Sequence, residues 1–414
     1  MHWLKRIIEF LPHRLIAVLA ISGLMAGLVT TRVVLSVASI TIACNALLHP
    51  NAGAHFSAWF KSPQKMLFAG LFLVYLVSGF YSDDMGQWWS NTQNKLPLLA
   101  IPFGFTYVET RFKGWKYLWL FIFISIMLIS ASGVMLNFIL NYDSIAESIK
   151  MGNAIPTPMN DHIRFSTSLS FSILSGIWLL SKKEIRSQPF ARYYLVIALL
   201  IQVIILHFLA VRSGIIFLYA GITLYIIHLI VKRGNLITGL SILMLVIAGF
   251  IVAVNFIQPL KNKYSYFKYE WELIMTGDYK AGHSDAQRVL STIYGLEVAR
   301  ENLPLGTGTG DIRQEMEKQY HQHPISVNTK SELPHNQFVY MFAATGIAGL
   351  LLLIAAFFYP VSVHKWRSKW LMQCFLIILF ISFMSEHALQ IQIGITFAML
   401  FSCLLPIILK PSRL

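Results

Sequence analysis

Apolar runs separated by short charged joints set the rhythm of this chain. A helix needs about 20 apolar residues to cross the hydrocarbon of a bilayer, and twelve runs read as crossings: 15–30, 33–48, 66–81, 96–108, 117–139, 163–180, 194–210, 214–231, 236–256, 337–359, 371–385 and 390–409. The fourth is short and carries Pro97 and Pro102, so we read it as a broken or re-entrant element. The stretch from Tyr193 to Val231 is too long for one crossing, and its only charge is Arg212 in Ala210-Val211-Arg212-Ser213-Gly214. Two helices joined by a tight turn fit that pattern. The expected fold is therefore an all-α polytopic membrane protein with about 12 transmembrane helices.

Two segments break the rhythm. Gln258 to Pro334 is long and not apolar, and within it Val289, Leu290, Ile293 and Leu296 recur at helical spacing. A helix over 285–301 is expected, ended by Pro304 and Gly306, with Val289, Ile293 and Leu296 forming the face it must bury. The segment 140–162 reads as a smaller polar loop. The chain then divides into helices one to nine (1–256), a large loop with short helices (257–336) and the last three helices (337–414). No internal repeat of the transporter kind is evident. Gly23 and Gly27 form a small-residue pair that reads as ordinary helix packing rather than a dimerisation device, and a monomer is expected.

Composition narrows the class. Of 414 residues 56% are hydrophobic and 13% charged, with a mean hydropathy of +0.60, where a soluble domain carries about 25% charged residues. Ten Trp, 17 Tyr and 29 Phe suit a chain with two membrane interfaces to anchor. Cys44, Cys374 and Cys403 all lie in apolar stretches and read as packing. The net charge of +14 would suit nucleic acid, but its distribution assigns it elsewhere. With the N-terminus (Lys5, Arg6, Arg14) cytoplasmic, the cytoplasmic side holds 19 of the 33 basic residues and three of the 19 acidic ones. That is the positive-inside bias, so the charge orients the protein and no nucleic-acid partner is expected. Both termini are then cytoplasmic and the large loop faces outward. The first apolar run resembles a signal peptide, yet the chain re-enters the membrane at once, so it reads as uncleaved.

Several familiar catalytic motifs are missing from the sequence: GxxxxGK followed by Ser or Thr, HExxH, GxSxG, CxxC and Asp-x-Asp. A nucleotide-fed cytoplasmic site is disfavoured. On the outer side stand Arg212 at a helix junction, Arg288 on the loop helix, His162 and Arg164 opening the sixth run, and His335-Asn336 before the tenth. Taken singly, each has an ordinary reading: arginines at helix ends snorkel to headgroups, and a histidine after Pro334 neighbours a helix cap. Taken together they describe a site. Guanidiniums present planar forks matched to phosphate oxygens, and an imidazole takes a proton near neutral pH. Such a set suits a lipid-linked pyrophosphate as leaving group and a hydroxyl as nucleophile.

His335-Asn336, nine further residues and Gly346-Ile347-Ala348-Gly349-Leu350 resemble the signature of bacterial O-antigen ligases. The stretch from Arg288 through Ala299-Arg300-Glu301-Asn302-Leu303-Pro304-Leu305-Gly306-Thr307-Gly308-Thr309-Gly310-Asp311 is similar to the segment before that signature in the O-antigen ligase and polymerase superfamily. Arg212 resembles the family's arginine at a mid-chain helix end. The resemblance implies a GT-C-like, metal-independent, inverting glycosyltransferase of the inner membrane of a Gram-negative bacterium, needing no cofactor. Its donor would be a glycan on undecaprenyl pyrophosphate and its acceptor lipid A-core, with membrane lipids around both. Arg212, Arg288 and His335 would be catalytic, and Asn336, Arg164, His162 and Arg300 would bind substrate. A polymerase of the same superfamily and a protein O-oligosaccharyltransferase are the nearest alternatives. A lipid-glycan transporter is the alternative from another class, and it would need no base at His335.

Overall fold

In a computed structural model, the described residues are 12–111, 116–150, 153–233, 284–323, 330–363 and 369–410, with scattered positions between 236 and 276. Among them helix is the only regular structure, as expected where backbone groups must be satisfied without water. In chain order the helices are α1 (His13–Gly27), α2 (Arg32–Leu47), α3 (Ala52–Phe60), α4 (Pro63–Val77), α5 (Met85–Gln93), α6 (Pro97–Arg111), α7 (Lys116–Leu140), α8 (Tyr142–Lys150), α9 (His162–Leu180), α10 (Pro189–Leu209), α11 (Arg212–Arg233), α12 (Ser284–Glu301), α13 (Ile312–Gln322), α14 (Gln337–Ser362), α15 (Trp370–Ser385) and α16 (Gln392–Ile408). Short turns such as Lys183–Arg186 and Ala388–Gln390 join them.

Among the described residues, six helices are long and apolar enough to cross a membrane: α4 with its following turn, α7, α9, α10, α11 and α14. The pair α2 and α3, bent by 109° at their joint, makes a seventh if taken as one span, and α1, α15 and α16 are shorter apolar helices. The predicted run 236–256 lies largely outside the described residues. The fourth run is not broken: it is one continuous helix, α6, with Pro97 at its start and Pro102 inside it. Within the polar segment 140–162 lies a helix, α8, whose isoleucines and charges alternate at helical spacing.

α9 is the hub. It packs against α7, α10, α11, α15 and α16, and most of its residues are buried. Small residues allow the close approaches: a Cβ at Gly214 would meet Ser166, and one at Gly221 would meet Leu174. Ser170 Oγ donates to the Gly214 carbonyl at 2.7 Å, tying α9 to α11 near the Arg212 turn.

α12 seats on α14, but not by the face expected. Ile293 and Leu296 are 40% and 36% exposed, whereas Ala286, Leu290, Tyr294 and Val298 are buried. The reason is the stripe Ser291-Gly295-Ala299, buried at four-residue spacing. A Cβ at Gly295 would lie 2.5 Å from Pro334 and 2.9 Å from Val339, so the small residues set the contact side and turn the bulkier pair outward.

The glycine-rich stretch after α12 forms a clasp. α14 is interrupted at Gly346, whose φ of 66° and ψ of −160° suit glycine alone. The break frees carbonyls at Ala343 and Ala344, which accept the N–H groups of Thr307 (2.9 Å) and Gly308 (3.0 Å). The Ile347 N–H donates in return to the Pro304 carbonyl at 3.1 Å. From its other side the stretch is held by the residues before α5. Asp311 accepts from the backbone N–H groups of Asp83 and Asp84 at 2.8 Å each, and Thr309 Oγ1 lies 2.8 Å from Ser78 Oγ.

Candidate functional site

α10 ends at Leu209, and Ala210 turns the chain in the left-handed region (φ 49°) so that α11 opens on Arg212. The Arg212 guanidinium forks onto the carboxylate of Asp285 on α12, Nη2 to Oδ1 at 3.1 Å and Nη1 to Oδ2. Asp285 and Arg288 are one helical turn apart, which brings Arg212 and Arg288 to the same end of α12. Arg288 Nη2 in turn lies 2.9 Å from Glu386 Oε1. Arg164 reaches the same carboxylate from α9, Nη2 to Oε2 at 3.7 Å, and its Nη1 lies 3.4 Å from Asp161. Asp161 is itself the cap of α9, accepting from the Arg164 N–H. One buried glutamate thus bridges two arginines.

His335 sits beside this bridge. Its backbone N–H donates to Ser291 Oγ at 3.2 Å, its Nδ1 lies 3.4 Å from the same oxygen, and its Nε2 is 3.4 Å from Glu332. Ser291 Oγ donates to the Arg288 carbonyl, so histidine and arginine are fixed to one turn of α12. His387 closes the group, its ring centroid 5.1 Å from that of His335. Burial lowers the His335 pKa below its ordinary 6.5, and Arg288 and Arg164 lower it further against the opposing pull of Glu332. Burial pushes His387 down to about 3, helped by His335 and Arg164.

Charge is matched here, but hydrogen bonding is not. Among the described residues, Arg164 Nη2 and His387 Nδ1 are buried with no hydrogen-bond partner. Unsatisfied buried polar atoms are rare and mark strain, a catalytic role or a bound water or ion. His335, Glu386 and His387 also offer metal-ligand atoms within 4.8 Å of one another. The two guanidiniums already take up the charge of Glu386, and a dication between them would face both. An anion suits this electrostatics better.

The structure therefore brings Arg212, Arg288, Arg164 and His335 into one connected group. His162, the first residue of α9, is half-buried two residues from Arg164. Asn336 caps α14: its Oδ1 accepts from the Phe338 and Val339 N–H groups, and its Nδ2 donates to the Met384 carbonyl at 3.3 Å. Arg300 is not brought into the group. It is exposed near the far end of α12, twelve residues or about 18 Å along the axis from Arg288. Sequence reasoning missed Asp285, Ser291, Glu386 and His387. For Glu386 a signal was present: it is the only acidic residue after Glu332, set between two apolar runs.

An O-antigen ligase family model matches residues 196–354, from within α10 to past the break in α14. The matched stretch holds Arg212, Arg288, Arg300, His335 and Gly346, and over it the chain is similar to the O-antigen ligase family. With the apolar helices, this supports a membrane protein with glycan-transferring activity of the O-antigen ligase or polymerase type. A search of curated proteins finds no match to the chain.

Proposed function

We propose that this protein is an O-antigen ligase that moves a finished glycan from undecaprenyl pyrophosphate to a sugar hydroxyl of lipid A-core. The reaction takes place at the periplasmic leaflet of a Gram-negative inner membrane, which twelve helices cross with both termini in the cytoplasm. The observation that carries the reading is the Arg164–Glu386–Arg288 bridge beside His335, with a buried guanidinium nitrogen that has no hydrogen-bond partner among the described residues. Arg288 and Arg212 exchange part of their carboxylate contacts for the donor's pyrophosphate and stabilise the charge that grows on it as the glycosidic bond breaks. His335 takes the proton of the acceptor hydroxyl. That oxygen bonds to the anomeric carbon from the face opposite the leaving group, undecaprenyl pyrophosphate departs, and the anomeric configuration inverts. No metal or nucleotide enters, since the pyrophosphate is already an activated leaving group. Arg164 and His162 complete the binding site.

The test is reconstitution of the purified protein with lipid-linked donor and lipid A-core in one bilayer. Capped lipopolysaccharide should form without a metal or nucleotide. Deletion of the gene, read by lipopolysaccharide electrophoresis, separates the nearest rival: loss of all capped species means ligase, and retention of a single-repeat species means polymerase. A protein that only relocates the donor would form no new glycosidic bond.

A further inference from the structure

Lys95, in the joint between α5 and α6, is 1% exposed, and among the described residues no carboxylate pairs with it. Its Nζ donates to the Leu389 carbonyl at 2.8 Å and lies 5.1 Å from the Tyr75 ring centroid. The N–H of the same residue, Leu389, donates to Gln337 Oε1 at 2.8 Å. Leu389 is thus held at both its polar backbone atoms by side chains from two distant elements. It belongs to the turn Ala388–Gln390, which follows directly on Glu386 and His387. The turn has a third tie, Gln390 Nε2 to the Tyr75 hydroxyl at 3.0 Å. α16 closes it from behind, where a Cβ on Gly394 would stand 2.0 Å from the Ala388 carbonyl.

Burying an ammonium without a counter-ion is costly. Here burial pulls the Lys95 pKa down to about 7. A neutral apolar side chain would fill the same volume at no such cost, so the amine has a task that packing does not explain. We propose that Lys95 is a positioning residue for the transfer reaction: by gripping the Leu389 carbonyl it fixes the turn that presents Glu386 to Arg164 and Arg288 and His387 to His335. The inference rests on the reading of the site given above. Glu386 stays centred between its arginines only while the backbone three residues on is held, and the setting of His335 depends on Arg288, Arg164, Glu332, Glu386 and His387 together.

The test compares Lys95→Met, which keeps length and removes the donor, with Lys95→Arg, which keeps a donor, and with Gln337→Met, which cuts the tie to the Leu389 N–H. Each is assayed for lipid-linked glycan transfer over pH 5–9, with His335→Ala as control. Lys95→Met is expected to lower kcat at least about tenfold with donor KM within about threefold of wild type, and to move the acid limb of the pH profile. Lys95→Arg should recover part of the rate, and Gln337→Met should repeat the Lys95→Met pattern more weakly. A folded Lys95→Met or Gln337→Met protein with wild-type kcat and profile overturns the proposal. So does failure of both to extract as monodisperse protein, because the turn would then serve the fold rather than the reaction. An active His335→Ala control would instead overturn the reading of the site, whatever Lys95 shows.

Discussion

The two ends of the stretch from His335 to Gly349 are built by opposite rules. At the Gly346 end, glycines let backbone meet backbone, and the Ala343 and Ala344 carbonyls and the Ile347 N–H at the helix break pair with residues 304–308. At the His335 end, side chains of both charges crowd together, and among the described residues two buried nitrogens, Arg164 Nη2 and His387 Nδ1, have no hydrogen-bond partner. The first arrangement is backbone pairing and the second is side-chain charge. A satisfied hydrogen-bond network rigidifies, whereas unsatisfied buried groups mark strain, a catalytic role or a bound water or ion. One signature therefore joins a scaffold to a site, and substitutions at its two ends should fail in different ways.

The largest effect is expected at the scaffold. A Cβ on Gly346 would stand 2.0 Å from the Pro304 carbonyl oxygen, and the backbone there is open only to glycine. Gly346→Ala should cost more than about 3 kcal/mol, combining the strain of that conformation with the clash. Thermal unfolding in detergent should show a large fall in midpoint together with loss of both donor binding and transfer. A Gly346→Ala protein that unfolds normally but lacks activity would erase the contrast between the two ends.

His335→Ala should leave folding and donor binding intact and remove the general base, a loss of about 10²–10⁴-fold in rate. The pH profile sharpens the assignment. His335 works as the neutral imidazole, and burial with Arg288 and Arg164 holds its pKa below the ordinary value. The neutral form thus persists to lower pH, so transfer should stay level through about 6.5 and fall only at more acidic pH. Removing one of those cations moves the balance toward Glu332, so residual activity in Arg288→Ala should show its acid limb at higher pH. An acid limb above 6.5 in the wild-type protein would remove His335 as the titrating group.

Arg288→Ala and Arg212→Ala should reduce transfer by roughly 30- to 4,000-fold, from about 2–5 kcal/mol per charge-assisted pair lost. They should weaken donor binding as well, which His335→Ala should not. Lysine should rescue poorly at Arg212, where the fork grips both oxygens of Asp285. Equilibrium binding of lipid-linked donor separates the two classes of variant. Unchanged binding in both arginine variants would break the phosphate assignment.

Much of this was legible in the sequence, and for local reasons. Helix lies along eleven of the twelve apolar runs, because apolar length alone fixes where helices form. Arg212 at its turn, Arg288 on α12 and His335 before α14 were likewise set by neighbours in the chain. What escaped was long-range. Glu386 is 98 residues from Arg288 and 222 from Arg164, and nothing near it in sequence announces either partner. The seating of α12 escaped for another reason: apolar periodicity weighs large side chains, while the contact is made by Ser291, Gly295 and Ala299. Asn336, expected to bind substrate, also caps α14, since an amide before an apolar run fits both descriptions.

The smallest effect is expected at Arg300, and it tests whether the charged end has a boundary. The resemblance places Arg300 among the substrate-binding residues, while the structure leaves it exposed on a different turn of α12. One pyrophosphate and one sugar cannot bridge the roughly 18 Å of helix between it and Arg288. In water its charge is screened within about 8 Å at physiological ionic strength, so it adds little to the field at Glu386. Arg300→Ala should therefore keep kcat and the pH profile within about twofold of wild type. Any change should appear in KM for long glycans, whose distal sugars pass that turn, and not for a single repeat unit. The measurement is transfer kinetics with donors of one repeat and of many. A drop in kcat with the short donor, comparable to that of Arg288→Ala, would show that α12 moves by more than a turn during the reaction and that the charged cluster extends along its whole length.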